Sequence, residues 1–149
     1  MLLLLLTVAC RADDAFGIWQ MNPARSTVPP GPRPKSITLR VESHAKGETF
    51  TLDRIEADGR STTSSSILYL DDQPHEFQDF RCAGTQLSRR LDGRTVEILR
   101  TCAGGEWIRF VRRLSANPNE LVLEVTQQQA DGRRFEWRLM LEKKEREKD

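Results

Sequence analysis

Histidine is scarce in this chain of 149 residues: His44 and His75 are the only two, and neither has a second His or Cys at metal-ligand spacing. Other chemical signatures are missing too. No phosphate-cradling Gly-rich motif follows a strand-like segment. The hydroxyl run Ser61 to Ser66 holds no nucleophile-elbow pattern. Asp13-Asp14 and Asp71-Asp72 lack the glycine and ligand spacing of a calcium loop. These absences argue against an enzyme, a metal site and a bound cofactor. The formal net charge of +1 argues against a dedicated nucleic-acid or membrane-surface protein on bulk charge. Leu2 to Ala9 is an apolar run too short to span a bilayer.

What is present suits one domain with a modest core: 38% of residues are hydrophobic and 30% charged. The first residues, "MLLLLLTVACRADD", resemble a secretory signal, although no Lys or Arg precedes the leucines. "TVAC" also resembles the lipobox of bacterial lipoproteins, with Thr7 where that motif prefers Leu. Two processing outcomes stay open, lipidation at Cys10 or cleavage near Ala12, and both imply export. Residues 1–12 are therefore read as the signal segment, 13–142 as one domain and 143–149 as a charged tail. Cys82 and Cys102 fit an oxidising compartment.

Three similar pieces punctuate the chain: "ADGRS" at Ala57, "LDGRT" at Leu91 and "ADGRR" at Ala130. Asp-Gly between β-branched and aromatic runs is a strong hairpin signal, and Gly suits the left-handed residue closing a three-residue loop. Placing that loop at Ala130-Asp131-Gly132 opposes Val125 with Trp137, Leu123 with Leu139 and Leu121 with Leu141. The apolar residues then share one face, with Val122–Met140 the one apolar pair on the other. The same loop at Leu91-Asp92-Gly93 sets Cys82 directly opposite Cys102 and predicts a disulfide there. A turn at Gly104-Gly105 pairs Cys102 with Trp107 and Leu99 with Phe110. Further strands are expected over 16–21, 35–43, 48–56, 60–70 and 75–80, about ten in all, at the spacing of an all-β barrel or sandwich. The first connection, "NPARSTVPPGPRPK", holds five of the seven prolines. Asn22 can cap a short turn with Pro23 at its first position; beyond it the prolines favour an extended segment.

Gly-x-Trp on a first strand (Gly17, Trp19), a long first connection and a meander of hairpins resemble the calycin group, lipocalins and fatty-acid-binding proteins. The string Gly17, Trp19, Asn22, Pro23, Ala24, Arg25, Ser26 with Pro34-Lys35-Ser36 resembles small exported bacterial lipocalin-like domains of unassigned function. The resemblance implies a single antiparallel up-and-down barrel, Trp19 packed across one end, and a place in the periplasm or on the outer membrane as a lipoprotein. The Arg-x-Tyr that holds a fatty-acid carboxylate in the fatty-acid-binding type has no counterpart, since Leu139 and Leu141 stand at those positions.

The register above places Leu87, Leu91, Leu99, Ile108, Phe110 and Leu114 on one face of the middle strands, taken as the interior, with Arg89, Glu97 and Arg112 among them. Arg89, Glu97, Arg112, Phe110 and Leu99 are then the ligand-binding candidates, since buried Arg suits an anionic or amphipathic ligand. A structural ion pair explains the same residues. The opposite face carries Arg90, Arg94, Arg100, Arg109 and Arg113, a docking surface for an anionic membrane or protein partner, or simply a solvated face. Trp137 is expected in the core and Trp107 over the disulfide. Two functions follow. One is a barrel, expected to be monomeric, that holds a small apolar or amphipathic molecule. The other is a filled barrel that works through its arginine face.

Overall fold

The computed structural model describes residues 15–29 and 31–144; the signal segment, Cys10, Asp13-Asp14, Pro30 and the tail beyond Lys144 lie outside the described residues. Ten strands follow one another: β1 (Gly17–Met21), β2 (Ser36–His44), β3 (Gly47–Ile55), β4 (Ser61–Leu68), β5 (His75–Gln78), β6 (Ala83–Asp92), β7 (Thr95–Cys102), β8 (Trp107–Leu114), β9 (Glu120–Gln128) and β10 (Arg134–Lys143). All pair antiparallel with chain neighbours except β4 and β5, and β1 also pairs with β10, Trp19 opposite Lys143. The sheet therefore curls into an up-and-down barrel, not a sandwich, with one seam where β4 faces β5 without a backbone ladder.

Two of the Asp-Gly hairpins have the expected geometry. Gly59 and Gly132 both sit at φ 89°, and the flanking pairs Glu56–Arg60 and Gln129–Arg133 close their loops with backbone hydrogen bonds of 2.8 Å. The β9–β10 register runs as anticipated from Gln128–Arg134 through Val125–Trp137 to Leu121–Leu141.

The other two hairpins differ from expectation. At the β6–β7 turn Asp92 pairs with Thr95, and a one-residue bulge between Arg90 and Asp92 leaves the rest of the ladder two residues from the expected register, so Gly84 stands opposite Cys102. A two-residue shift preserves the facing of side chains, and Cys82 still bonds Cys102 with their Cα atoms 5.2 Å apart. Gly84 lets the strands meet closely there: a Cβ on it would lie 1.9 Å from the carbonyl oxygen of Thr101.

At the β7–β8 turn the loop is one residue shorter than expected. Cys102 N–H donates to Glu106 C=O across Ala103-Gly104-Gly105, with Gly105 at φ 94°. Ile98, not Leu99, opposes Phe110. A one-residue slip reverses every side chain of a strand relative to its neighbour. Val96, Ile98, Arg100 and Cys102 therefore point inward with Ile108, Phe110, Arg112 and Leu114, and Glu97 and Leu99 point outward. Burying Val and Ile removes more apolar surface from water than burying Leu and a carboxylate would.

The core lies inside the barrel. Trp19, Phe50, Leu39, Leu68, Ile98, Leu121, Leu123, Leu141, Val41 and Val96 are each less than 2% exposed. The Trp19 indole N–H donates to Ala15 C=O at 2.8 Å, satisfying its one polar atom. Trp137 packs against this core, partly buried. Trp107 faces outward beneath Arg134, whereas the disulfide faces inward beside Phe77, so Trp107 does not cover it.

The first connection starts with one 3-10 turn, Pro23–Arg25, capped by the Asn22 side chain accepting from Ala24 N–H at 3.0 Å. It then follows β10, with Thr27 bridged to Arg138, and brings Val28 against the core and buries Pro34.

Replacing both Cys82 and Cys102 with Ser should lower unfolding free energy by about 3 kcal/mol, because the bond closes a separation of 20 residues in the unfolded chain. Denaturant melts of the variant against the oxidised protein measure it.

Candidate functional site

The seam between β4 and β5 is closed by side chains, and Arg100 sits at its centre. Its guanidinium, 3% exposed, donates from Nε to Gln86 Oε1 at 2.9 Å. Across the gap Nη1 and Nη2 donate to the hydroxyls of Ser64 and Ser66, both at 3.3 Å. Asp79 lies 3.7 Å from Nη1 and accepts from the Ser64 hydroxyl at 2.9 Å. Gln86 Nε2 also donates to Ile67 C=O at 3.2 Å, and Leu70 N–H to the Ser88 hydroxyl at 2.9 Å. Three rings flank the cation, Phe77 at 4.3 Å, Phe110 at 5.0 Å and Phe50 at 5.8 Å. A desolvated cation–π contact contributes on the order of 2 kcal/mol. Burial pushes the guanidinium down to about 10, with Asp79 acting against the shift, so it remains cationic at neutral pH.

The disulfide anchors one side of this arrangement. Asp79 accepts the Cys82 N–H at 2.8 Å, and Cys102 lies two residues along the inward face from Arg100. Phe77 packs with both cysteines while standing over Arg100.

A second buried cation lies farther along β8. Arg112, 3% exposed, donates from Nη2 to Glu48 Oε2 at 2.8 Å, and Arg90 reaches the other oxygen of Glu48 at 3.4 Å. Burial lowers the Arg112 pKa, offset in part by the Glu48 carboxylate. Its Nη1 is buried and has no hydrogen-bond partner among the described residues.

Of the ligand-binding candidates, Arg112 and Phe110 are therefore inside the barrel, and Arg89, Glu97 and Leu99 are on its outer wall. Glu97 pairs with Arg89 at 2.8 Å and Arg109 at 2.5 Å, not with Arg112. Burial alone would raise the Glu97 pKa, but the hydrogen bonds from Arg109 and Arg89 outweigh it and hold the carboxyl below its usual range. The expected arginine face also divides. Arg100 is buried at the seam, Arg90 reaches inward to Glu48, Arg109 binds Glu97, and Arg113 lies 3.8 Å from Glu124. Arg94 and Arg113, joined by Arg138, line an open hollow of about 630 Å³ on the outer wall.

The seam residues Ser64, Ser66, Asp79 and Gln86 and the inward Glu48 carried no sequence signal as site residues. For Arg100 a signal existed in the alternation Val96, Ile98, Arg100, but it depended on knowing the β7–β8 loop length.

No protein-family model matches the sequence, and no curated protein matches it. Solved structures do match. Zebrafish ileal bile acid-binding protein in complex with cholic acid superposes with a TM-score of 0.53 at 12% identity, over 87% of this chain and 98% of that one. The shared feature is the fold, a ten-stranded up-and-down barrel of the fatty-acid-binding and lipocalin type.

Two outcomes follow from these charges. Asp79→Asn should cost about 3 kcal/mol by removing the carboxylate near Arg100, and Arg100→Met should cost about 3 kcal/mol or more, because it leaves Asp79, Ser64, Ser66 and Gln86 without their shared donor, and should speed amide exchange in β4 and β5. Denaturant melts and hydrogen exchange read both. The Glu97 pKa is lowered by folding, so its stabilising contribution is complete above the unfolded value near 4.5 and is lost as pH falls through the folded value. Acid unfolding of Glu97→Gln should lack that component.

Proposed function

We propose that this chain is an exported, non-enzymatic barrel that binds a small amphipathic anion within its wall. The observation that carries this reading is Arg112 Nη1, a buried cationic donor with no partner among the described residues. An unsatisfied buried donor costs about 1–3 kcal/mol, more when charged, and a purely structural core gains nothing by keeping it. A carboxylate or similar acid would satisfy it. Phe110 and Phe50, edge to face at 5.4 Å, would receive the apolar part of the ligand. The seam is the route in, because parting it breaks a few side-chain hydrogen bonds in place of a backbone ladder. The ligand set becomes Arg112, Arg100 and Phe110. The fold shared with a bile acid-binding protein supports the reading by analogy of architecture only.

A second reading, a filled barrel working through its surface, is favoured by the ten core side chains less than 2% exposed. A wall bordering a void wide enough for water would show more exposure, so an interior ligand requires side chains to move.

Native mass spectrometry of the protein purified gently from its own envelope distinguishes them. The binding reading expects a non-covalent adduct lost on denaturation, and at least about tenfold weaker retention by a folded Arg112→Met variant, the loss of one charge-assisted hydrogen bond. A bare mass, no uptake of an environment-sensitive apolar dye, and an Arg112→Met variant more stable than the parent would establish the filled barrel instead.

A further inference from the structure

The wall segment from Tyr69 to Cys82 comprises the β4–β5 corner, β5 and the turn into β6, and it has a backbone ladder on one side only. β5 is four residues long, paired with β6 from His75–Gln86 to Gln78–Ala83. Its buried apolar residue, Phe77, packs in a small cluster with Cys82 and Cys102, apart from the main core around Trp19 and Phe50. At the corner the N–H groups of Leu70 and Asp72 both donate to Ser88, which fixes that end to β6. The same two residues stand in left-handed backbone at φ 56° and 57°, which is strained for leucine. One ladder, a separate small core and a strained base describe a unit that opens locally, with the corner as its hinge.

The disulfide fastens the end opposite that hinge. Cys102 already stands opposite Gly84 in the β6–β7 ladder, and Ala103 N–H donates to Ala83 C=O, so β6 and β7 need no covalent tie there. What the bond fixes is the turn 79–82. Asp79 accepts the N–H groups of Arg81 and Cys82, both at 2.8 Å, and its own N–H donates to Cys82 C=O at 2.9 Å. The same Asp79 reaches across the seam to the Ser64 hydroxyl and lies 3.7 Å from Arg100, and the Phe77 ring is 4.3 Å from that guanidinium. Cystine, turn and seam are thus mechanically joined. We propose that the Cys82–Cys102 disulfide is a redox latch: the seam is shut while the bond is intact and opens at its 79–82 end when a dithiol reduces it. The latch concerns opening alone and stands whether or not the interior binds a ligand.

Reduction is a two-electron exchange. One thiolate of the dithiol attacks a cystine sulfur, forming a mixed disulfide and releasing the other cysteine. The second thiol of the dithiol then displaces the remaining cysteine. The products are two cysteine thiols and the dithiol oxidised to its own disulfide, with two protons passed to the cysteines. The freed sulfurs part to van der Waals separation and crowd Phe77, in a cluster where Cys82 is 3% and Cys102 8% exposed. The turn then no longer holds Asp79 and Phe77 against Arg100, and the contacts that span the seam are lost together.

The test is hydrogen exchange of the full chain, oxidised and then reduced with dithiothreitol under native conditions, followed by NMR in rising sub-denaturing urea. Reduction should speed exchange at β5, at the turn 79–82 and at the Arg100 guanidinium at least about tenfold more than at β9 and β10. The faster exchange should depend little on urea, because a local opening exposes little surface. Reoxidation should restore the slow rates. Phe77→Ala leaves the bond intact but removes the contact between the cystine and Arg100, and should give the same selective acceleration in the oxidised protein. The proposal is overturned if reduction speeds β5 and β9–β10 by the same factor, which is the behaviour of a global staple, or if the reduced protein unfolds outright. It is equally overturned if neither reduction nor Phe77→Ala changes exchange at the seam.

Discussion

One guanidinium closes this barrel. Nine of the strand junctions are backbone ladders, and the tenth, between β4 and β5, depends on Arg100 bonded to Ser64 and Ser66 on one side and Gln86 on the other. A cation in that position is costly to desolvate, and its surroundings show how the cost is offset. Three side-chain oxygens accept its N–H groups, three aromatic rings stand near it, and a carboxylate is near enough to act through charge. Hydrophobic side chains could seal the same gap, but they would not bond to both of its edges.

The disulfide belongs to the same construction. It ties the strand after the β5–β6 corner to the end of β7, beside Phe77 and within one turn of Asp79. The seam is thus held by a covalent bond at one end and by polar contacts along its length, while the remainder of the circumference has the cooperativity of paired backbone. If the barrel opens, the physical asymmetry puts the opening here.

The interior is divided in a related way. Toward β1, β2, β9 and β10 it is mostly apolar around Trp19, with Gln127 buried on β9, and toward β3 to β8 it holds Glu48, Arg112, Gln86, Ser88 and Arg100 among the aromatic rings. The apolar half accounts for stability. In the polar half Arg112 Nη1 is buried without a hydrogen-bond partner among the described residues. Outside, Glu97 between Arg89 and Arg109 makes a surface pair of ordinary kind, and Arg94, Arg113 and Arg138 line an open hollow.

Local chemistry alone determined much of this. Asp-Gly with Gly in the left-handed region specified the β3–β4 and β9–β10 loops, and alternation along 121–141 specified which residues of the last hairpin enter the core. Asn22 and the prolines dictated the 3-10 turn and the extended connection after it. The site was much less legible. On β7 both faces carry apolar residues and both carry a charge, so alternation could not choose between Val96-Ile98-Arg100 and Glu97-Leu99. A one-residue difference in the Ala103-Gly104-Gly105 loop made the choice, and packing against Phe110 and Phe50 decided that loop. Cys82 and Cys102 met because parity survives a two-residue shift, not because they are opposed. Arg100, Ser64 and Asp79 are far apart along the chain and have no shared motif. Their meeting follows from closure of the sheet, which brings β3 and β4 around to β6 and β7, and that is a property of the whole barrel and of no single segment.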